Sequence, residues 1–132
     1  MIQANTTSTS ASQRFHVRWV FGGVTEAMRQ QLIAFWLQEG ALTSPDEAWG
    51  RSWEVACVLQ EEENDHIAGV CTVAIRMDDH ARSYGFVRIF IRPGSRLIGL
   101  NVCLMERMIE GFTTLAREPG APHRLVATIE NR

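Results

Sequence analysis

The stretch Ile91–Asn101, IRPGSRLIGLN, joins an apolar alternating segment to a long amphipathic one. Before it, Tyr84–Arg92 (YGFVRIFIR) sets Val87, Ile89 and Ile91 on one face and Phe86, Arg88, Phe90 and Arg92 on the other, which predicts a strand. Pro93-Gly94 breaks it. From Gly99 to about Arg117 the pattern turns helical, with Val102, Met105, Ile109, Phe112 and Ala116 as the expected buried stripe. A strand-to-helix turn of this kind leaves the first helical amides unpaired at the positive end of the macrodipole, an arrangement suited to a diphosphate. Gly99 lets phosphate oxygens approach the backbone closely, and Arg96 adds a charge-assisted donor. The same glycine and proline would serve a purely structural turn, so the residues alone leave both readings open.

Upstream, residues Met1–Gln13 are rich in Thr, Ser, Asn and Gln, and a disordered tail is expected there. Phe15–Phe21 alternates as a half-buried strand and ends at Gly22-Gly23. Thr25 is a good N-cap for a helix carrying Met28, Leu32, Phe35 and Trp36 and stopping at Gly40. Ser44-Pro45-Asp46-Glu47 has the form of a capping box with proline at the first helical position, predicting a short helix to about Gly50. Val55–Gln60 and His66–Arg76 flank a polar turn at Glu61–Asp65 and read as a hairpin. The second of these strands is apolar on both faces: Ile67, Cys71, Val73 and Ile75 share one, while Ala68, Val70 and Ala74 share the other. It is therefore expected to be central. Leu125–Ile129 forms a last strand. The expected fold class is α+β (an α/β three-layer arrangement), one domain over residues 14–132, with a mostly antiparallel mixed sheet flanked by helices.

Composition narrows the functional classes. A net charge of −2 gives no reason to expect nucleic acid or an anionic membrane as partner, and no apolar run approaches the ~20 residues that cross a bilayer. The expected location is cytoplasmic. All 13 basic residues are arginine, whose planar fork suits phosphate and carboxylate. Composition bias would give the same count. Cys57, Cys71 and Cys103 lie apart among apolar residues and read as buried thiols, and no Cys/His pattern has metal-ligand spacing, so no metal is expected. The tryptophans 19, 36, 49 and 53 read as core, and the glutamate run 61–63 as a solvated turn.

Ile91, Pro93, Arg96 and Gly99 fall at the positions of an acetyl-CoA signature, an apolar strand end, then proline, then Arg/Gln-x-x-Gly-x-Gly/Ala. With His66-Ile67-Ala68-Gly69 upstream and Leu125–Asn131 (LVATIEN) downstream, the chain resembles the GNAT superfamily of N-acetyltransferases in element order from Phe15 to Ile129. The resemblance implies an acyl-CoA N-acyltransferase-like fold with acetyl-CoA as co-substrate. The backbone of Ile89, Phe90 and Ile91 would pair with the pantetheine arm, and Arg96, Leu97, Ile98, Gly99, Leu100 and Asn101 would hold the diphosphate. It further implies that the fourth and fifth strands splay around the thioester, and that a small-molecule or protein amine is acetylated by direct attack.

Two departures accompany the resemblance. Asn101 stands where the signature ends in Gly or Ala. The sequence also stops where the family continues with a helix and two strands, so a domain truncated after its fifth strand is expected, pairing as a homodimer or larger assembly through that open edge. No carboxylate stands on Tyr84–Arg92 where a glutamate base often sits, which leaves Glu130 and Tyr84 as weak catalytic candidates. A catalytically inactive, truncated GNAT-like module for acyl-CoA or protein binding is the alternative function.

Overall fold

The computed structural model describes residues 14–95, 99–116, 122 and 124–129. Along them run β1 (Phe15–Trp19), α1 (Glu26–Gln38), α2 (Pro45–Ser52), β2 (Val55–Glu61), β3 (Ile67–Met77), β4 (Ser83–Ile91), a 3-10 turn at Pro93–Ser95, α3 (Leu100–Leu115) and β5 (Arg124–Ile129). The sheet has the order β1-β2-β3-β4-β5. Its first three pairings are antiparallel, and β5 joins β4 in parallel after the α3 crossover. This is the α+β arrangement expected from the sequence.

The helix starts follow local chemistry. Thr25 Oγ1 accepts from Met28 N at 3.2 Å, and Ser44 Oγ accepts from Glu47 N at 3.2 Å. The Glu47 carboxylate reaches forward to Arg51 at 3.3 Å, and α2 runs past Gly50 to Ser52. Gly40, at φ 72, closes α1 in the left-handed conformation. β1 ends two residues earlier than its alternation suggests, because Phe21 and Gly22 turn away after Val20 N donates to Ala56 O.

Two cores sandwich the sheet. Leu32, Phe35 and Trp36 of α1 pack with Val55, Val58, Val70 and Phe90 on one face. Leu104, Met108 and Phe112 of α3 pack with Leu59, Cys71, Val73, Val87 and Ile91 on the other. β3 is buried along both faces, as a central strand must be. Ile67, however, lies with the α1 cluster and not with Cys71 and Val73. The register slips by one residue where Gln60 meets Ile67 and Leu59 meets Gly69, and such a bulge exchanges the faces of everything before it.

The α3 stripe is likewise rotated from its expected position. Leu104, Met108, Gly111 and Phe112 face the sheet, whereas Val102 and Ile109 are about half exposed and Ala116 is outside. The cause is Trp19, whose indole lies under Gly111 and meets Phe112 edge-on at 5.1 Å. Only a residue without Cβ fits beneath α3 there. Alanine in place of a helical glycine ordinarily adds about 1 kcal/mol. At this position the new methyl would enter the Trp19 ring, an overpacking that costs about 1–3 kcal/mol. Gly111→Ala is therefore expected to lower the urea midpoint, and a raised midpoint would show that Trp19 yields freely.

Candidate functional site

β4 delivers the expected pantetheine segment to the end of the sheet. Ile89 and Ile91 point to the α3 side, while Phe90 points to the α1 side and meets Phe35 at 5.7 Å. The parallel pairing with β5 continues from Tyr84↔Arg124 to Ile89↔Ile129. The splayed gap implied by the resemblance is therefore not open along these six pairs. Phe90 and Ile91 are the members of that segment beyond the last pair.

An ion-pair network fixes the end of β4. Arg92 Nη2 donates to Glu61 Oε2 at 2.6 Å and to Ser95 Oγ at 2.7 Å, and Nε donates to the same hydroxyl at 3.1 Å. Arg92 N donates to Ala68 O, and Ser95 N to Arg92 O, each at 2.8 Å. Ser95 is buried and Glu61 nearly so. The reading of Glu61–Glu63 as a solvated turn thus holds for Glu62 and Glu63 and fails for Glu61, which closes β2. Nothing local distinguishes the first glutamate of the run; its partner lies in β4.

α3 begins at Gly99, its N-cap, with φ 94, and open space lies where a Cβ would point. α1 and α2 each have a side-chain cap and an acidic residue in the first turn; α3 has neither. Its positive end is therefore available to an outside anion. Asn101 is exposed, and its Oδ1 accepts from Val102 N at 3.0 Å, so the departure from the signature is held along the helix. Leu100 is half-buried. Arg96, Leu97 and Ile98, to which the resemblance gives diphosphate contacts, lie outside the described residues, as does Glu130. Gly99 and the first turn of α3 fit a phosphate group: the space a Cβ would fill is open, and the first amides of a helix have no partner within it.

Tyr84 is the second residue of β4, seven residues and about 23 Å of strand from Ile91. Its hydroxyl donates to Asp78 Oδ2 at 3.1 Å. The Asp78 carboxyl is held below its ordinary value, first by the Arg82 amide and then by His80, Tyr84 and the Arg82 side chain. Tyr84 thus ties the β3–β4 loop. Burial pushes the Cys57 thiol up to about 12 and raises Cys71 further, so both are neutral and unreactive. Cys103, expected to be buried from its apolar neighbours in sequence, is exposed, because on α3 it lies well away from the face of Leu104, Met108, Gly111 and Phe112. Trp19 and Trp36 pack in or against the core, but Trp49 and Trp53 are 52% and 60% exposed and stack on each other at 5.6 Å. Among the described residues no three His, Cys, Asp or Glu side chains converge.

Two concavities flank the α1 face of the sheet. A groove of about 760 Å³ runs between α1 and the edge strand β1, past Arg18, Met28, Gln31 and Gln60 to Arg92. A much smaller cleft lies over β3 and β4, where Arg51 and Arg88 meet the segment Ile89-Phe90. Neither arginine stands out in the sequence, because α2 and β4 bring them together only in the fold.

No family model matches the chain, and no curated protein matches it in sequence. Solved structures match in fold. An aminoglycoside N-acetyltransferase in complex with CoA is 12% identical with TM-score 0.63, covering 93% of this chain and 82% of that one. A GNAT-family acetyltransferase from Streptococcus pneumoniae is 20% identical with TM-score 0.59, covering 90% and 76%. Glucosamine-6-phosphate N-acetyltransferase from Arabidopsis thaliana is 14% identical with TM-score 0.58, covering 89% and 83%. The chain has the fold of the GNAT acetyltransferases.

The Arg92 network carries its own prediction. Hydrogen bonds to charged groups contribute about 1.5–3 kcal/mol when removed with a partner left behind. Glu61→Ala is expected to lose about that much in urea unfolding, and Glu62→Ala about zero. Equal small losses would show that the pair does not fix the strand end.

Proposed function

We propose that this chain is an acetyl-CoA-dependent N-acetyltransferase that moves an acetyl group to a primary amine by direct attack. The observation that carries this reading is the junction of β4 and α3. A pinned strand end leads to a left-handed glycine and an uncapped helix start, within the fold shared with acetyltransferases.

Acetyl-CoA, when bound, supplies the activated acyl group. The amides of Gly99, Leu100 and Asn101 would hold its diphosphate at the positive end of α3, and the signature assigns Arg96, Leu97 and Ile98 to the same cradle. The backbone of Ile89, Phe90 and Ile91 would align the pantetheine arm and present an amide to the acyl oxygen. The Arg92–Glu61–Ser95 network would hold the end of this strand and the turn after it in place, and a near-attack geometry needs that rigidity. Tyr84 is held by Asp78 at the other end of β4, which argues against it as the acid for a departing thiolate. The deprotonating step is assigned to no described side chain, and a water chain suffices for an amine.

Two measurements test the reading. Acetyl-CoA at 100-fold excess over its dissociation constant stabilises a binding protein by about 2.7 kcal/mol, so the melting temperature is expected to rise in a titration. Gly99→Val fills the open space at the helix start and is expected to remove the ligand-induced rise measured from its own baseline. A full rise in that variant would place the ligand elsewhere, and a flat wild-type titration would remove the reading. Release of CoA thiol with a panel of amines then separates a transferase from a binding module that only holds the ligand.

A further inference from the structure

The small cleft over β4 deepens the proposed function, because it lies beside the backbone segment that this reading gives to the acyl group. Arg51 of α2 and Arg88 of β4 line it together with Trp36, Thr72 and Phe90. Thr72 and Arg88 are direct cross-strand partners, as are Val70 and Phe90, so the floor is a continuous piece of the β3–β4 ladder. Arg51 is largely buried above it, while Arg88 is exposed at its mouth. Among the described residues no carboxylate lines the cleft. Glu47, half exposed, reaches Arg51 at 3.3 Å, so Arg51 is held in place while the Arg88 guanidinium is the one at the surface.

Size decides where a substrate can lie. The cleft has a free volume of about 10 Å³, room for about one water molecule, so the body of an acceptor must rest outside it. The surface next to it is suitable. Phe86, Arg88 and Phe90 alternate on the same face of β4, and Val126 stands opposite Phe86 on β5. Phe86 and Val126 are both exposed, at 40% and 43%. An acceptor lying on this strip would meet apolar surface along its body and a guanidinium at the end nearest Ile89 and Phe90. A guanidinium fork discriminates by charge and by planar, bidentate geometry, which favours carboxylate and phosphate over neutral groups.

We propose that the acceptor is an amine carrying an anionic group, a carboxylate or a phosphate, held by Arg88 with Arg51 behind it. This rests on the reading of β4 as the acyl-transfer strand. The two arginines then serve as specificity-determining residues: they place the acceptor so that its nitrogen faces the acyl carbon, and they reject amines without the anion. The apolar strip would accept the remaining part of the molecule.

Matched pairs of amines test this on the full chain with acetyl-CoA, following release of CoA thiol. One pair is glucosamine 6-phosphate and glucosamine; the other is phenylalanine and phenylalaninamide. The anionic member of at least one pair is expected to have the higher kcat/KM, by about 10-fold or more for a charged hydrogen bond. The pair with the larger ratio identifies the source of the anion. Arg88→Met, at an exposed position, is expected to bring that ratio toward one, and Arg88→Glu to invert it. Arg51→Met should lower the ratio through KM. Equal use of both members, or an Arg88→Met variant that slows both members alike, would overturn the inference and leave the transferase reading intact. Thiol release with none of the amines, from protein that still binds acetyl-CoA, would overturn both.

Discussion

The contact between Arg92 and Glu61 sets the geometry on which the site depends. It joins the last residue of β2 to the residue after β4, across the intervening strand, and Ser95 completes it from the 3-10 turn. Without such a tie the exit angle would rest on Gly94, since Pro93 fixes only its own φ and the glycine after it is conformationally permissive. With it, β4 stops at Ile91 and the 3-10 turn at Pro93–Ser95 is anchored to the sheet on the way to α3 at Leu100. The cost of desolvating two charges is offset because the guanidinium is bonded to a carboxylate and a hydroxyl together. A partly buried ion pair is a modest source of stability; its value here lies in the direction it imposes.

The sheet accounts for why that direction matters. Both faces of β3 are covered, so β4 and β5 cannot shift without disturbing two cores at once. The described parallel pairing of β4 with β5 runs from Tyr84 to Ile89, which places Phe90 and Ile91 at the end of the strand nearest the 3-10 turn. Phe90 and Ile91 are held by side chains buried on opposite faces, and Ile91 belongs to the cluster against which Leu100 at the helix start packs. Rigid walls and open amides coincide at one place. That coincidence, within a fold shared with acetyltransferases, supports the functional reading.

Much of the fold was legible because its signals are local. Thr25, Ser44-Pro45 and Gly40 fix helix ends by hydrogen bonding and φ preference within a few residues, and alternation or apolar runs beside turns identified the strands. What escaped was set by contacts distant in sequence. The bulges that move Ile67 to the α1 face depend on how β2 and β3 register. The rotation of α3, which exposes Val102 and Ile109, depends on Trp19 beneath Gly111. In the candidate site, the glycine before the helix and the strand leading to it could be read directly. Glu61 could not, because it is the first of three identical residues, nor could Arg51 and Arg88, whose meeting is a product of topology.

The central claim is that the end of β4 and the start of α3 form one ligand-binding surface. Backbone nitrogen–proton correlation spectra during a titration with CoA test it most directly. The largest shifts are expected at the amides of Phe90, Ile91, Gly99, Leu100 and Asn101. Shifts confined to Arg18, Met28 and Gln31 in the groove along α1, with the β4–α3 amides unmoved, would contradict it.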